Sequence, residues 1–282
     1  MNTASQNSTR LKLDPKWPIG VLDSGLGGLT VVKAIQKQMP GEDIIYIADN
    51  KYLPYGDRSR EEIIDRAHRL CEFYSAYPVK AIVMACNTAT AAAIKHCREH
   101  FDLPIIGVEP GIKPACEITQ TGNIGVLATA GTLRSQKYAN LRNLVGKDVK
   151  VFEQACVGLV QAIEDEYPDF SETRTLLRLY LDEFKNNQVD TVVLGCTHYP
   201  LIEQLIHEEF HAAVTINTSS AIARQLHHRL DDPGLENPNN ISPLLRVLAS
   251  QVDSAYQEKV TRLIKSEKSD ENPVIQLPAH FC

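Results

Sequence analysis

The feature that most restricts this chain is a regular alternation of short Val- and Ile-rich runs with stretches of helical period. The runs fall at Ile19-Val21-Leu22, Ile44-Ile45-Tyr46-Ile47, Ala81-Ile82-Val83-Met84, Ile105-Ile106, Ile124-Val126-Leu127, Val149-Val151, Val192-Val193-Leu194 and Val214-Ile216. They lack the polar alternation of a half-exposed strand and read as strands buried on both faces. Helical spacing fills the intervals: Leu29 to Gln38, Glu61 to Tyr77, Ala89 to His100, Leu133 to Val145, Glu172 to Asn186, Leu201 to Phe210 and Ser220 to Leu230. Such alternation predicts an α/β protein with parallel sheets and right-handed crossovers. A chain of 282 residues can bury one large core or two smaller ones.

An internal repeat favours two. Ile19-Gly20-Val21-Leu22-Asp23-Ser24 resembles Ile124-Gly125-Val126-Leu127-Ala128-Thr129, an offset of 124 − 19 = 105. Val83-Met84-Ala85-Cys86-Asn87-Thr88 resembles Val193-Leu194-Gly195-Cys196-Thr197-His198, an offset of 196 − 86 = 110. The expected architecture is therefore two similar parallel-sheet α/β domains related by a pseudo-twofold axis, with an active site in the cleft between them. Residues 1–110 with the returning segment 220–282 form the N-terminal domain, and residues 111–219 form the second. The tail breaks at Pro233, Gly234 and Pro238, then offers an apolar run at Leu244 to Leu248 and a helix from Ser254 to Ile264; Lys265 to Asn272 is expected to be mobile.

Composition excludes several classes. The net charge of −6, from 29 Lys and Arg against 35 Asp and Glu with no basic block, argues against direct nucleic-acid binding. No segment reaches the roughly 18 consecutive apolar residues of a membrane span, and the polar N-terminus has no signal-peptide core. The seven cysteines show no CxxC pair and no regular spacing, so a cytoplasmic protein with reduced thiols is expected.

Cys86 and Cys196 stand out because each ends a strand and precedes a helix, where ligands gather in open α/β sheets. Backbone N–H groups and the helix dipole there favour thiolate over thiol. Cys71, Cys97 and Cys116 lie on helical stretches and read as packing; Cys156 follows a strand, and Cys282 is terminal. Two thiols related by a repeat are compatible with a disulfide, a metal site or an acid–base pair. Cys196 with His198 is not a structural-zinc spacing, and further ligands are lacking. A thiolate removing a proton from carbon while a thiol returns one to the opposite face explains more. The loop Asp23-Ser24-Gly25-Leu26-Gly27-Gly28 is neither a dinucleotide fingerprint nor a P-loop. Its glycines admit close backbone approach, and Asp23 can bind an ammonium group, orient a catalytic group or cap a helix.

Taken together, Asp23-Ser24-Gly25-Leu26-Gly27-Gly28-Leu29, Asp49-Asn50 with Pro54-Tyr55-Gly56, Ala85-Cys86-Asn87-Thr88-Ala89, Gly107-Val108-Glu109-Pro110 and Leu194-Gly195-Cys196-Thr197-His198-Tyr199-Pro200 resemble the glutamate racemases, from about Ile19 to Leu230. The resemblance implies a cofactor-independent isomerase that supplies D-glutamate for peptidoglycan, without pyridoxal phosphate, metal or nucleotide. It implies that Cys86 acts on D-glutamate and Cys196 on L-glutamate, with Asp23, His198 and Glu164 assisting. The substrate loops would be Asp23-Ser24, Pro54-Tyr55-Gly56, Asn87-Thr88 and Thr197-His198. A homodimer is implied too, and the N-terminal extension is similar to members activated by a peptidoglycan precursor, UDP-N-acetylmuramoyl-L-alanine. The sequence departs from many relatives at Lys51-Tyr52 and at Asn217-Thr218-Ser219. Alternative readings are an aspartate racemase of the same superfamily and a regulatory binding protein, since some family members are reported to inhibit DNA gyrase.

Overall fold

The computed structural model describes residues 13–146, 148–211, 213–231, 234–264 and 274–282. The segment expected to be mobile and the first twelve residues lie outside them. The first unit runs β1 (Ile19–Asp23), α1 (Gly28–Gln38), β2 (Ile44–Ala48), α2 (Arg60–Ala76), β3 (Ala81–Met84), α3 (Asn87–His100) and β4 (Ile105–Gly107). The second runs α4 (Ile112–Ile118), β5 (Asn123–Ala128), α5 (Ala130–Leu133), α6 (Gln136–Arg142), β6 (Lys150–Ala155), α7 (Leu159–Glu166), α8 (Ser171–Asn186), β7 (Thr191–Gly195), α9 (Glu203–Glu209) and β8 (Val214–Ile216). Then follow α10 (Ser219–Asp231), β9 (Leu245–Ala249), α11 (Ser254–Ile264) and β10 (Ile275–Gln276).

Two parallel sheets result, ordered β10-β9-β2-β1-β3-β4 and β6-β5-β7-β8. The order β2-β1-β3-β4 is the same as β6-β5-β7-β8, so the two sheets share one winding. Every residue of the central strands β1, β3 and β7 is buried, which is why their sequences are unbroken apolar runs. The tail returns to the first sheet, where β9 pairs with β2 in register from Ile44↔Leu245 to Ala48↔Ala249.

Helix ends depart from the sequence reading where local capping intervenes. The expected helix Leu133 to Val145 is two short ones, because Ser135 Oγ accepts the Tyr138 N–H and starts α6 afresh. The expected helix from Leu201 begins as a 3-10 turn over Tyr199–Ile202 and becomes α-helical only at Glu203. Helices α4 and α7 and the short strand β10 were not anticipated.

Candidate active site

In each sheet the chain leaves the central strand in opposite directions, β1 toward β2 and β3, β5 toward β6 and β7. The crevice at such a reversal, at the carboxyl ends of the strands, is where α/β proteins hold ligands. Register puts Leu22 beside Met84 and Ala128 beside Gly195. Asp23 and Ser24 therefore leave the first sheet next to Cys86, and Thr129 leaves the second next to Cys196.

Cys86 is the N-cap of α3, its Sγ accepting the Ala89 N–H at 3.4 Å. Its thiol faces Ser24 Oγ at 4.0 Å. The helix start favours its thiolate through the Ala89 N–H, as expected, but burial opposes it. Burial, followed by the Asp23 carboxylate, pushes the thiol far above its ordinary value, and the Ala89 N–H offsets only part of this. Cys196 adds to the same upward push, so the two sulfurs lie within electrostatic reach of each other.

Cys196 has a different environment. No α-helix starts immediately after it; a 3-10 turn does, and this brings His198 Nδ1 to 3.7 Å from Cys196 Sγ. His198 Nε2 lies 2.6 Å from Glu164 Oε1 on α7. Burial disfavours the imidazolium, yet hydrogen bonding to Cys196 and Glu164 outweighs it and raises His198 well above the ordinary histidine value. Glu164 Oε1 also accepts the Leu26 N–H of the first unit at 2.5 Å. Thr197 Oγ1 crosses back and donates to Asp23 Oδ1 at 3.1 Å, while Asp23 Oδ2 accepts the Gly25 and Gly28 N–H groups, both at 3.1 Å. Burial raises the Asp23 carboxyl above the usual range against those bonds and the His198 charge. Glycine is needed in this loop: a Cβ at Gly27 would sit 2.6 Å from His198 Nδ1 and from Thr197 Oγ1.

The other expected substrate residues divide. Asn87 Nδ2 is buried with no hydrogen-bond partner, at a helix start whose first-turn N–H groups have no intrahelical acceptor. Thr88 Oγ1 instead pairs with Thr129 Oγ1 at 2.8 Å. The Tyr55 hydroxyl is spent on Asp49 Oδ2 at 2.6 Å, and Arg66 grips the Asp49 carboxylate through two 2.8 Å bonds. Pro54-Tyr55-Gly56 is thus a braced turn whose Gly56 packs on Thr129. Thr129, Thr132, Arg66 and the Leu26 N–H were missed; Thr129 alone left a signal, as the repeat partner of Ser24. Among the described residues, no group of three or more His, Cys, Asp and Glu is arranged to hold a metal ion, and no helix is long and apolar enough to cross a membrane.

Residues 19–226 match the family described as Asp/Glu/hydantoin racemases. A glutamate racemase of Pseudomonas syringae pv. tomato is 44% identical over 220 residues, covering 77% of this chain and 80% of that protein. The chain belongs to this racemase family, among its glutamate racemases. Its fold agrees with this racemase assignment: a Bacillus anthracis glutamate racemase superposes with a TM-score of 0.81 at 34% identity, covering 92% of this chain and 96% of that one. The Escherichia coli glutamate racemase, solved with L-glutamate and the activator UDP-MurNAc-Ala, gives 0.77 at 28% identity over 92% and 97%. In this racemase the two cysteines are buried, and a cavity of about 840 Å³ lies elsewhere, bordered by Arg98, Gly107, Lys137, Thr218 and Arg229.

Proposed function

We propose that this protein interconverts L- and D-glutamate by two-base proton transfer at the α-carbon, and that it supplies D-glutamate for peptidoglycan. The observation that carries the reading is the pair of buried cysteines at matching strand ends, Cys196 beside the His198 imidazole and Cys86 at the start of α3 facing Ser24. In the L-to-D direction Cys196, with His198 Nδ1 at 3.7 Å from its sulfur, is the base and Cys86 is the acid. Cys196 removes the α-proton of L-glutamate: the C–H bond breaks, an S–H bond forms, and the electron pair delocalises onto the substrate carboxylate. Cys86 then gives its proton to the opposite face and becomes the thiolate that acts on D-glutamate. His198 and Asp23 exchange protons with the thiols between turnovers.

A thiolate is a weak base for so weak a carbon acid, so the carboxylate must be held by donors that strengthen as charge develops on it. Asn87 Nδ2, at the start of α3, is free for this, and Ser24 and the braced turn at Pro54-Tyr55-Gly56 close the site. Asp23 takes the substrate ammonium, and Thr88, Thr197 and His198 keep the loops of the two units together. Residues 1–110 with 220–282 act as one body and 111–219 as the other, the substrate entering as they part. The enzyme works in the reducing cytoplasm as a homodimer.

A nucleotide-sugar activator fits the 840 Å³ cavity, where Arg98 and Arg229 of the first unit face Lys137 of the second. Arg98 already donates to Ile105 O at the start of β4, and Lys137 of the second unit to Val108 O just after that strand, so an anion there would act where the chain passes from one unit to the other. The reaction is tested by circular dichroism of L-glutamate and L-aspartate turnover in D2O, with and without UDP-N-acetylmuramoyl-L-alanine. Inversion of glutamate with α-deuterium incorporation is expected; reduced protein that exchanges no α-hydrogen would overturn the reading.

A further inference from the structure

Helix α11 belongs to the core of the first sheet, where Tyr256, Val260 and Leu263 are buried. From the same helix Lys259 reaches the second unit, its Nζ donating to the carbonyls of Glu164 at 2.5 Å and Asp165 at 3.0 Å. These carbonyls lie in the last turn of α7, where a helix has no N–H of its own to offer and where a cation also suits the dipole. Helix α7 has only eight residues and no side-chain N-cap, so packing and this clamp set its position. Its Glu164 has a narrow task, accepting donors from both units, Leu26 N–H and His198 Nε2. A shift of about 1 Å would break both contacts. Tyr256, one turn before Lys259, has a buried hydroxyl with no partner among the described residues. Burial, followed by Glu164 and Asp23, pushes its phenol up, so this face of α11 lies against the site.

We propose that Lys259 is a positioning residue for racemisation: it holds α7 at Glu164 so that the carboxylate stays on His198 and the His198 ring stays beside Cys196. The proposal rests on the roles given above to His198 and Glu164. It assigns a catalytic consequence to a helix that touches neither cysteine.

The test is the pH dependence of kcat and KM for the full-length wild type, Glu164→Gln, Lys259→Met, Lys259→Arg and the double variant Glu164→Gln/Lys259→Met. Lys259→Met should lower kcat about tenfold with KM within about twofold. Its alkaline limb should move to lower pH, because a less well-held imidazolium deprotonates sooner. Lys259→Arg should restore most of the rate, and the double variant should be no slower than Glu164→Gln, as expected for two residues acting through one contact. The proposal is overturned if Lys259→Met keeps the wild-type limb while Glu164→Gln shifts it, or if the two losses multiply. A lower melting temperature with raised KM and an unmoved limb would reduce Lys259 to a fold brace and also overturn it. A Glu164→Gln enzyme with an unmoved limb would instead remove the role of Glu164, and the proposal with it.

Discussion

His198 Nε2 lies 2.6 Å from Glu164 Oε1, and the two residues come from separate elements of the second unit, 34 positions apart. This contact, with the one to Cys196, favours the imidazolium against burial. The histidine is raised in the folded state above its unfolded value, near 6.5. Its contribution to stability is therefore complete below that value and is lost as pH rises through the folded value. The wild-type melting temperature should fall on the alkaline side of neutrality more steeply than that of His198→Gln. Thermal melts from pH 6 to 10 check this; parallel curves would show that the pair carries no proton-linked stability.

The two thiols should be separable by isotope exchange. Replacing either one by serine should reduce racemisation by about a thousandfold or more, because one face of the carbon loses its acid or base. The surviving thiol still removes a proton from its own face and exchanges it with solvent. Cys86→Ser should then wash deuterium into L-glutamate and Cys196→Ser into D-glutamate, each without inversion. Proton NMR in D2O reads both. The reverse pairing would exchange the roles of Cys86 and Cys196.

What the sequence carried is explained by where the signal resides. Buried parallel strands must be apolar, so β1 to β5 and β7 appear as Val- and Ile-rich runs; the edge strands β6 and β8 were expected to be buried on both faces and are not, since β6 carries Lys150, Glu153 and Gln154 and neither has a fully buried residue. The shared winding of the two sheets leaves the offsets of 105 and 110 that single out Cys86 and Cys196. The helix N-terminus beside Cys86 is visible in sequence, whereas the burial and the Asp23 charge that oppose its thiolate arise only on folding. Helix α7 escaped because its eight residues, Leu159–Glu166, give barely two turns of periodicity. The contact that gives Glu164 its geometry, with the Leu26 N–H, spans 138 positions. Thr129 was half legible, matched to Ser24 by the repeat without any indication that it would meet Thr88.

The turn at Pro54-Tyr55-Gly56 depends on a buried ion pair beneath it. Arg66 and Asp49 are both almost wholly buried, and Arg66 also donates to Phe281 O at 2.7 Å, tying the C-terminus to the turn. Removing one partner leaves an unpaired charge in the core, at a cost of about 3–5 kcal/mol. Arg66→Met should lower the melting temperature by on the order of 10 °C. Arg66→Met with Asp49→Asn should lower it less, since no bare charge remains. Calorimetry on the three proteins decides; additive losses would mean the carboxylate is stabilised by Tyr55 alone.

Gly27 offers the smallest change that separates geometry from chemistry. An alanine Cβ there would stand 2.6 Å from His198 Nδ1, well inside contact distance, and also 2.7 Å from the His198 backbone nitrogen. Backbone cannot give way as a flexible side chain can, so the imidazole must move away from Cys196 or the two units must part. Either movement removes the contact between His198 and Cys196 while every catalytic group is retained. Misplacement on this scale can cost about a hundredfold in rate. Gly27→Ala should therefore lose about that much kcat, and Cys196 should lose reactivity toward a small alkylating agent at neutral pH, measured by mass spectrometry of its peptide. Undiminished alkylation with a lowered kcat would place the damage in substrate closure and leave the Cys196–His198 pair intact.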